Sequence, residues 1–382
     1  MLRPQNTQIG PGSLAGLAAL VARLNPRNAM LVTGGNAYRH SGAHHVVEPA
    51  LGRATVYHFD GVAPNPTIAD VARGVSLWRR ERPDIIVAAG GGSVLDVAKL
   101  VGLLGPGAES WGDYLDRPED LDSAGVPVIA IPTTAGSGAE ATRFATFYVA
   151  GEKRSISHPL LRPRHVFVDP LLTASVPPDL AAVTAFDALA QAIESLWAVG
   201  ATPGSRMRAE AALREILPCL GHIGRAPALA LRARMAHGAH LAGQAIDLSR
   251  TTAAHALSYA LTADLGVAHG HAVALLLPSI MRINDRPEGR RIVHPRGAAY
   301  LAATMRRMVR LLHCKDGEEA SCLLQRHAAD LGLSAHLTVA APSVSAASLA
   351  AKVNADRLSN NPVALSADDV LAIYAGLLEG RA

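Results

Sequence analysis

Apolar positions in the first half of the chain come in short unbroken runs. Ala29-Met-Leu-Val-Thr33, Asp84-Ile-Ile-Val-Ala-Ala89, Val126-Pro-Val-Ile-Ala-Ile131 and His165-Val-Phe-Val168 are the clearest. Continuous rather than alternating runs of this length predict strands buried on both faces, as in a parallel sheet covered by helices. Each run ends in a turn signal: Gly34-Gly35, Gly90-Gly91-Gly92, Pro132-Thr133-Thr134 or Asp169-Pro170. Ligands of such sheets gather beyond the carboxyl ends of the strands, where these residues fall. Ser13 to Leu24 has helical spacing and carries Arg23, so it predicts an amphipathic helix rather than a secretion leader.

After Pro177-Pro178 the period changes to about 3.6 residues. Ala181 to Val199, Ser205 to Leu217, Ala228 to Ile246, Thr251 to Leu261, Ala298 to Leu312 and Ala367 to Leu378 predict helices. Breaks fall at Pro203-Gly204, Pro218, Pro227, Pro287 and Asn360-Asn361-Pro362. The pattern predicts a Rossmann-like α/β domain over 1–176 and an all-helical domain over 177–382.

Composition narrows the function. With 382 residues, 49% hydrophobic and 18% charged, the chain can bury two cores and is too apolar for disorder. Three cysteines without CxxC spacing exclude a disulfide scaffold and fit a reducing, cytoplasmic setting. The net charge of +4 is spread thinly and aromatics are 4%, so neither a nucleic-acid surface nor a base-stacking platform is expected. The longest stretch free of Asp, Glu, Lys and Arg, Leu265 to Met281, holds two histidines and a proline, so no membrane span is expected.

Three constellations carry chemistry. Gly90-Gly91-Gly92-Ser93-Val94-Leu95-Asp96 follows a predicted strand and opens a helix, so several N–H groups can point at one anion beside the helix dipole. The bland alternative is a tight turn whose first amides are satisfied by Asp96. Pro132-Thr133-Thr134-Ala135-Gly136-Ser137-Gly138 adds hydroxyls and small residues after the next strand. In the helical half, Asp187 and Gln191 share one helix face in an apolar setting, and His255, His269 and His271 lie among small residues. An Asp with two or three His suits Zn2+ or Fe2+. From residues alone the chain is an anion- or nucleotide-binding α/β domain joined to a metal pocket.

The four ordered motifs Gly90 to Asp96, Pro132 to Gly138, Asp187 to Glu194 and His269 to Pro278 closely resemble the iron-containing (group III) alcohol dehydrogenases. The resemblance runs from about Val32 to Asn361. It implies a dehydroquinate-synthase-like architecture, with the active site in the cleft between a dinucleotide domain and a helical metal domain, and a homodimer. Further segments, among them Phe59 to Pro66, Ser157-His158-Pro159 and Ser249 to Tyr259, are similar to the phosphonoacetaldehyde reductase branch, which makes 2-hydroxyethylphosphonate with a nicotinamide cofactor.

Carried over residue by residue, the resemblance implies metal ligands Asp187, Gln191, His255 and His269. Gln191 stands where the family has its first ligand histidine, which weakens the set. Tyr259 stands where many members have a relay histidine; it or His271 would carry the proton. Gly91, Gly92, Ser93 and Asp96 match the pyrophosphate loop, and Thr133, Thr134 and Ser137 the nicotinamide side. Gly34-Gly35-Asn36 with Arg39 in place of an acidic residue points to NADPH, with NADH possible. A phosphonate substrate needs cations, and Arg143, His158 and Arg250 are the candidates. The alternatives are a reductase of another small carbonyl compound, with or without metal, and a dehydroquinate-synthase-like lyase.

Overall fold

The computed structural model describes residues 5–107, 111–115, 125–224, 227–333 and 344–380. They fall into two compact units, one of Met1–Val176 with Ala228–Gly243, the other of Pro177–Pro227 with Gln244–Ala382.

The first unit contains strands β1 (Asn6–Ile9), β2 (Asn28–Thr33), β3 (Thr55–Phe59), β4 (Ile85–Gly90), β5 (Val128–Pro132), β6 (Phe144–Val149), β7 (Glu152–Ser157) and β8 (His165–Val168). Six form one parallel sheet in the order β1-β8-β5-β4-β2-β3, and β6 and β7 form a separate antiparallel hairpin. The helices are α1 (Leu17–Leu24), α2 (Ala37–His40), α3 (His44–Ala50), α4 (Ile68–Glu81) and α5 (Gly92–Leu104). Side chains alternate across the pleat, so Met30 and Val32 of β2 pack with Val71, Val75 and Trp78 of α4 and with α5. Ala29 and Leu31, on the other face, pack with Leu17, Leu20 and Val21 of α1. The central strands are apolar except at their ends, at Asn28, Thr33 and His165, because both faces are covered. The edge strand β1 is mostly polar and β3 mixes Thr55 and His58 with apolar residues, so neither run predicts a buried strand.

Register sets where the loops begin. Gly90 at the end of β4 pairs with Pro132 at the end of β5, and Thr133 N–H donates to Gly90 O at 3.0 Å. The glycine turn and the threonine loop therefore leave the sheet side by side.

The second unit is built from α6 (Pro178–Trp197), α7 (Pro203–Ile216), the end of α8 (Leu229–Ser249), α9 (Ala253–Leu265), α10 (His269–Asp285), α11 (Gly297–Leu311), α12 (Gly317–Asp330), α13 (Ala346–Ala350), α14 (Ala355–Leu358) and α15 (Ala367–Leu378). It has no named strand among the described residues. Ala185 to Trp197 of α6 are all buried, which makes α6 the axis of the unit. α10 has no charged residue before Arg282 and was legible only as an apolar stretch.

One feature departs from the two-segment division expected at 176 and 177. The first part of α8, Ala228–Gly243, belongs with the α/β unit. Its small residues explain this. A Cβ on Gly138 would lie 2.4 Å from Gly243 Cα, so the loop and the helix meet backbone to backbone. Beside that contact, His240 Nδ1 and Glu140 Oε1 are 3.1 Å apart, both buried.

Candidate active site

Because α6 is buried all round, its polar side chains need partners inside the protein. Asp187, Gln191 and Glu194 stand at i, i+4 and i+7, which is one helix face. Gln191 Nε2 donates to Asp187 Oδ2 at 3.1 Å, which turns the amide oxygen of Gln191 away from that carboxylate. Glu194 is wholly buried and faces the start of α9. Its Oε1 accepts from Thr252 Oγ1 at 2.7 Å and from Ala254 N at 2.9 Å, and its Oε2 meets His255 Nδ1.

That last contact fixes the imidazole. With Nδ1 held by Glu194, His255 directs Nε2 at Asp187 Oδ1, 3.2 Å away. His269 is fixed in the same way: its Nδ1 is 3.2 Å from Ser258 Oγ, whose hydroxyl donates to His255 O at 2.7 Å. One ligand atom from each of Asp187, His255 and His269 lies within 4.8 Å of the others. The structure thus brings together three of the four expected ligands and places Gln191 against the first. Burial alone would lower the His255 pKa, but the Glu194 charge and hydrogen bonds to Asp187 and Glu194 raise it to about 10. The same pairing holds Glu194 below its ordinary value despite burial. A cation held by Asp187 and His255 would compete with protonation of that imidazole.

The ligand chemistry fits a transition metal. One carboxylate and two imidazoles, each imidazole oriented by an outer acceptor, form a donor set for Fe2+ or Zn2+, and Gln191 is hydrogen-bonded to the carboxylate. Tyr259, expected as a relay, lies flat on His269, ring centroids 5.5 Å apart and planes 2° apart. His271 is half-buried two residues past His269 on α10.

The expected nucleotide residues also converge. α5 begins at Gly92 with no side-chain cap and no acidic residue in its first turn, where Ser93 also lies. A Cβ on Gly92 would stand 2.5 Å from Ser137 Oγ, and one on Gly91 would stand 3.6 Å from Thr134 Oγ1. The two loops face one another, and at Gly92 a side chain would have to push Ser137 aside, while at Gly91 it would only touch Thr134. Thr133 is buried beneath them.

Asp96 is placed differently from expectation. Its Oδ2 accepts from Thr146 N at 3.0 Å and its Oδ1 is 3.3 Å from Lys99 Nζ. Both oxygens serve the protein, and the first-turn amides of α5 are not capped by it. Burial raises the Asp96 pKa, with Lys99 and the Thr146 amide pulling the other way. Lys99, itself fully buried, also donates to Ala139 O at 2.9 Å, Thr142 Oγ1 at 3.2 Å and Phe144 O. The pair ties α5 to the segment that carries Ser137.

Gly34 and Asn36 follow β2, with Asn36 and Arg39 exposed. The NADPH expectation counted no carboxylate there, yet Thr33 Oγ1 donates to Asp60 Oδ1 at 3.2 Å, which brings one to the end of β2. Arg143 and His158 meet at the base of the hairpin, where His158 N donates to Arg143 O at 3.0 Å. Arg250 is exposed just past α8, in the second unit.

Sequence reasoning missed Glu194, Ser258, Lys99 and Asp60. The i, i+4, i+7 spacing could have exposed Glu194. The others depend on contacts between distant segments.

Two family descriptions cover nearly the whole chain. Residues 4–170 match "Iron-containing alcohol dehydrogenase" and residues 181–378 match "Fe-containing alcohol dehydrogenase family, C-terminal". The chain belongs to the iron-containing alcohol dehydrogenase family. As a member it is an oxidoreductase of the alcohol and aldehyde type. It is 33% identical over 282 residues to long-chain-alcohol dehydrogenase 1 of Geobacillus thermodenitrificans, covering 73% of this chain and 71% of that one. It is 35% identical over 259 residues to the phosphonoacetaldehyde reductase of Streptomyces viridochromogenes, covering 65% and 64%. Among solved structures it is similar to sulfoacetaldehyde reductase from Bifidobacterium kashiwanohense in complex with NAD+. The TM-score is 0.87 at 27% identity, over 98% of this chain and 97% of that one. Among the described residues no helix of this iron-containing alcohol dehydrogenase is long and apolar enough to cross a membrane.

Proposed function

We propose that this enzyme reduces phosphonoacetaldehyde to 2-hydroxyethylphosphonate, a step of phosphonate natural-product biosynthesis. The observation that carries the reading is the convergence of Asp187, His255 and His269 within 4.8 Å, in a chain 35% identical to a phosphonoacetaldehyde reductase over 259 residues. When bound, Fe2+ or Zn2+ supplies Lewis acidity toward a carbonyl oxygen and NADPH or NADH supplies hydride.

The chain's own part is placement and charge. Asp187, His255, His269 and the Gln191 amide oxygen hold the ion, and Glu194 and Ser258 hold the imidazoles. Backbone amides at Gly91, Gly92 and Ser93 take the pyrophosphate, while Thr133, Thr134 and Ser137 line the nicotinamide side. Arg143, His158 and Arg250 bind the phosphonate. Tyr259 Oη or a ring nitrogen of His271 gives the product oxygen its proton. Arg39 favours the 2′-phosphate of NADPH and the Asp60 carboxylate opposes it, so both cofactors are used, with NADPH ahead.

The test is oxidation of NADPH and NADH with phosphonoacetaldehyde, sulfoacetaldehyde and propionaldehyde, with and without chelator. The reading expects kcat/KM for phosphonoacetaldehyde to exceed that for propionaldehyde by about tenfold or more, which is about 1.4 kcal/mol of discrimination. Chelation should remove activity and Fe2+ or Zn2+ restore it. Equal rates on all three aldehydes would refute the substrate. Turnover of substrate without net cofactor oxidation would point to a lyase instead.

A further inference from the structure

We propose that Arg357 is a specificity-determining residue that binds the tetrahedral oxyanion group of an acidic two-carbon aldehyde. This rests on the reading above and names the residue that would select that substrate class. The Arg357 guanidinium carbon lies 4.6 Å from the centroid of the Tyr259 ring. The same ring lies parallel to the ligand His269 at 5.5 Å. By those separations the guanidinium carbon lies at most about 10 Å from the His269 ring, a range over which a charge acts on an anion. A two-carbon aldehyde whose carbonyl oxygen is near the ligand cluster must place its acidic group only two atoms further on. An uncharged aldehyde has nothing to offer that cation.

The surroundings fix Arg357 in advance. It sits on the single turn α14, whose start is capped by Asn354 Oδ1 accepting from Asp356 N at 2.9 Å. Just after that turn, Asn360 Nδ2 donates to Ser249 O at 2.9 Å and Thr251 O at 2.8 Å, and its Oδ1 accepts from Gly200 N at 2.9 Å. Asn361 Nδ2 donates to Asn284 Oδ1 at 3.0 Å and Val363 O at 2.8 Å. α14 is thus pinned to the segment that leads into α9, which bears His255 and Tyr259. Arg357 is half-buried, so part of its ordering and desolvation is complete before substrate arrives. A planar guanidinium also matches two oxygens of a phosphonate or sulfonate at once. Tyr259 then has a second use: its face supports the cation and its other contact supports the ligand histidine.

The experiment compares wild type with Arg357→Met and Arg357→Lys, each loaded with metal, on phosphonoacetaldehyde, sulfoacetaldehyde and propionaldehyde. For the methionine variant, KM for the two acidic aldehydes should rise at least thirtyfold with kcat within threefold, and KM for propionaldehyde should rise less than threefold. Calorimetric binding of 2-hydroxyethylphosphonate should weaken by the same factor as KM for phosphonoacetaldehyde. Arg357→Lys keeps the charge and loses the fork, so it should fall between, and it decides the matter if the methionine variant does not fold. Unequal effects on the two acidic aldehydes tell which one the site favours. Equal changes on all three aldehydes, or none, would overturn the assignment while leaving the reductase reading standing. A wild-type enzyme that reduces no acidic aldehyde would remove both.

Discussion

The glycine- and threonine-rich loops and the Asp187, His255 and His269 cluster solve opposite problems. The loops work by leaving things out: Gly92 clears space against Ser137, and Gly138 meets Gly243 with no side chain between them. The cluster works by putting charge in: a wholly buried Glu194 serves three donors so that His255 and Asp187 can face one point. Backbone shape builds the first and second-layer hydrogen bonding builds the second. The loops should therefore fail when an atom is added, and the cluster when one is taken away.

The largest effect should come from Glu194→Ala. It leaves His255, Thr252 and Ala254 donors buried without an acceptor, for a stability loss of about 3–5 kcal/mol. Affinity for Zn2+ should fall about 10- to 100-fold as the imidazole loses its orientation. Denaturant unfolding and metal titration measure the two, and wild-type metal affinity in this variant would break the contrast. Next, Gly92→Val and Gly243→Val add side chains where none fits, at a cost of about 1–3 kcal/mol each by overpacking. Nucleotide binding, followed by nicotinamide fluorescence, should weaken in both, while Zn2+ affinity stays within a factor of about two.

A smaller, pH-dependent effect sharpens the comparison from within the first unit. His165 is buried, and neither of its ring nitrogens has a hydrogen-bond partner among the described residues. Burial first, then the charges of Arg164 and Arg23, lower its pKa. The folded state thus resists protonation that the unfolded chain accepts. At high pH both states are neutral and the residue is silent. Stability should fall as pH drops through about 6.5, the unfolded value, and level off below the folded value. His165→Leu should flatten that part of the profile of Tm against pH, and an unchanged slope between pH 7 and 5 would count against it. The smallest effect should be on cofactor choice: Arg39→Ala should cut the NADPH-to-NADH ratio of kcat/KM a few-fold, since an exposed guanidinium contributes about 1 kcal/mol at most.

Much of this was legible beforehand because it is local. Four central strands and seven helices follow from short-range periodicity, and the two glycine- and threonine-rich turns sit where a parallel sheet presents its loops. Asp187 and Gln191 share a face by spacing alone. What stayed hidden depends on tertiary packing. β1 and β3 are edge strands whose polar residues mask the pattern, and the β6–β7 hairpin stands outside the parallel sheet. The return of Ala228–Gly243 to the first unit rests on the meeting of two glycines 105 residues apart in sequence. Nothing local marks Lys99, and only the fold shows it enclosed by Asp96, Ala139, Thr142 and Phe144. Asp60 altered the cofactor argument for the same reason.

Arg250 adopts a left-handed backbone, with φ of +61°. Only glycine, and to a lesser degree asparagine, adopts that conformation without strain. Under the phosphonate-binding role proposed for Arg250, Arg250→Gly would ease the main chain while erasing a guanidinium, so folding and substrate capture should move in opposite directions. Few positions in a molecule separate the needs of the scaffold from those of the chemistry so cleanly.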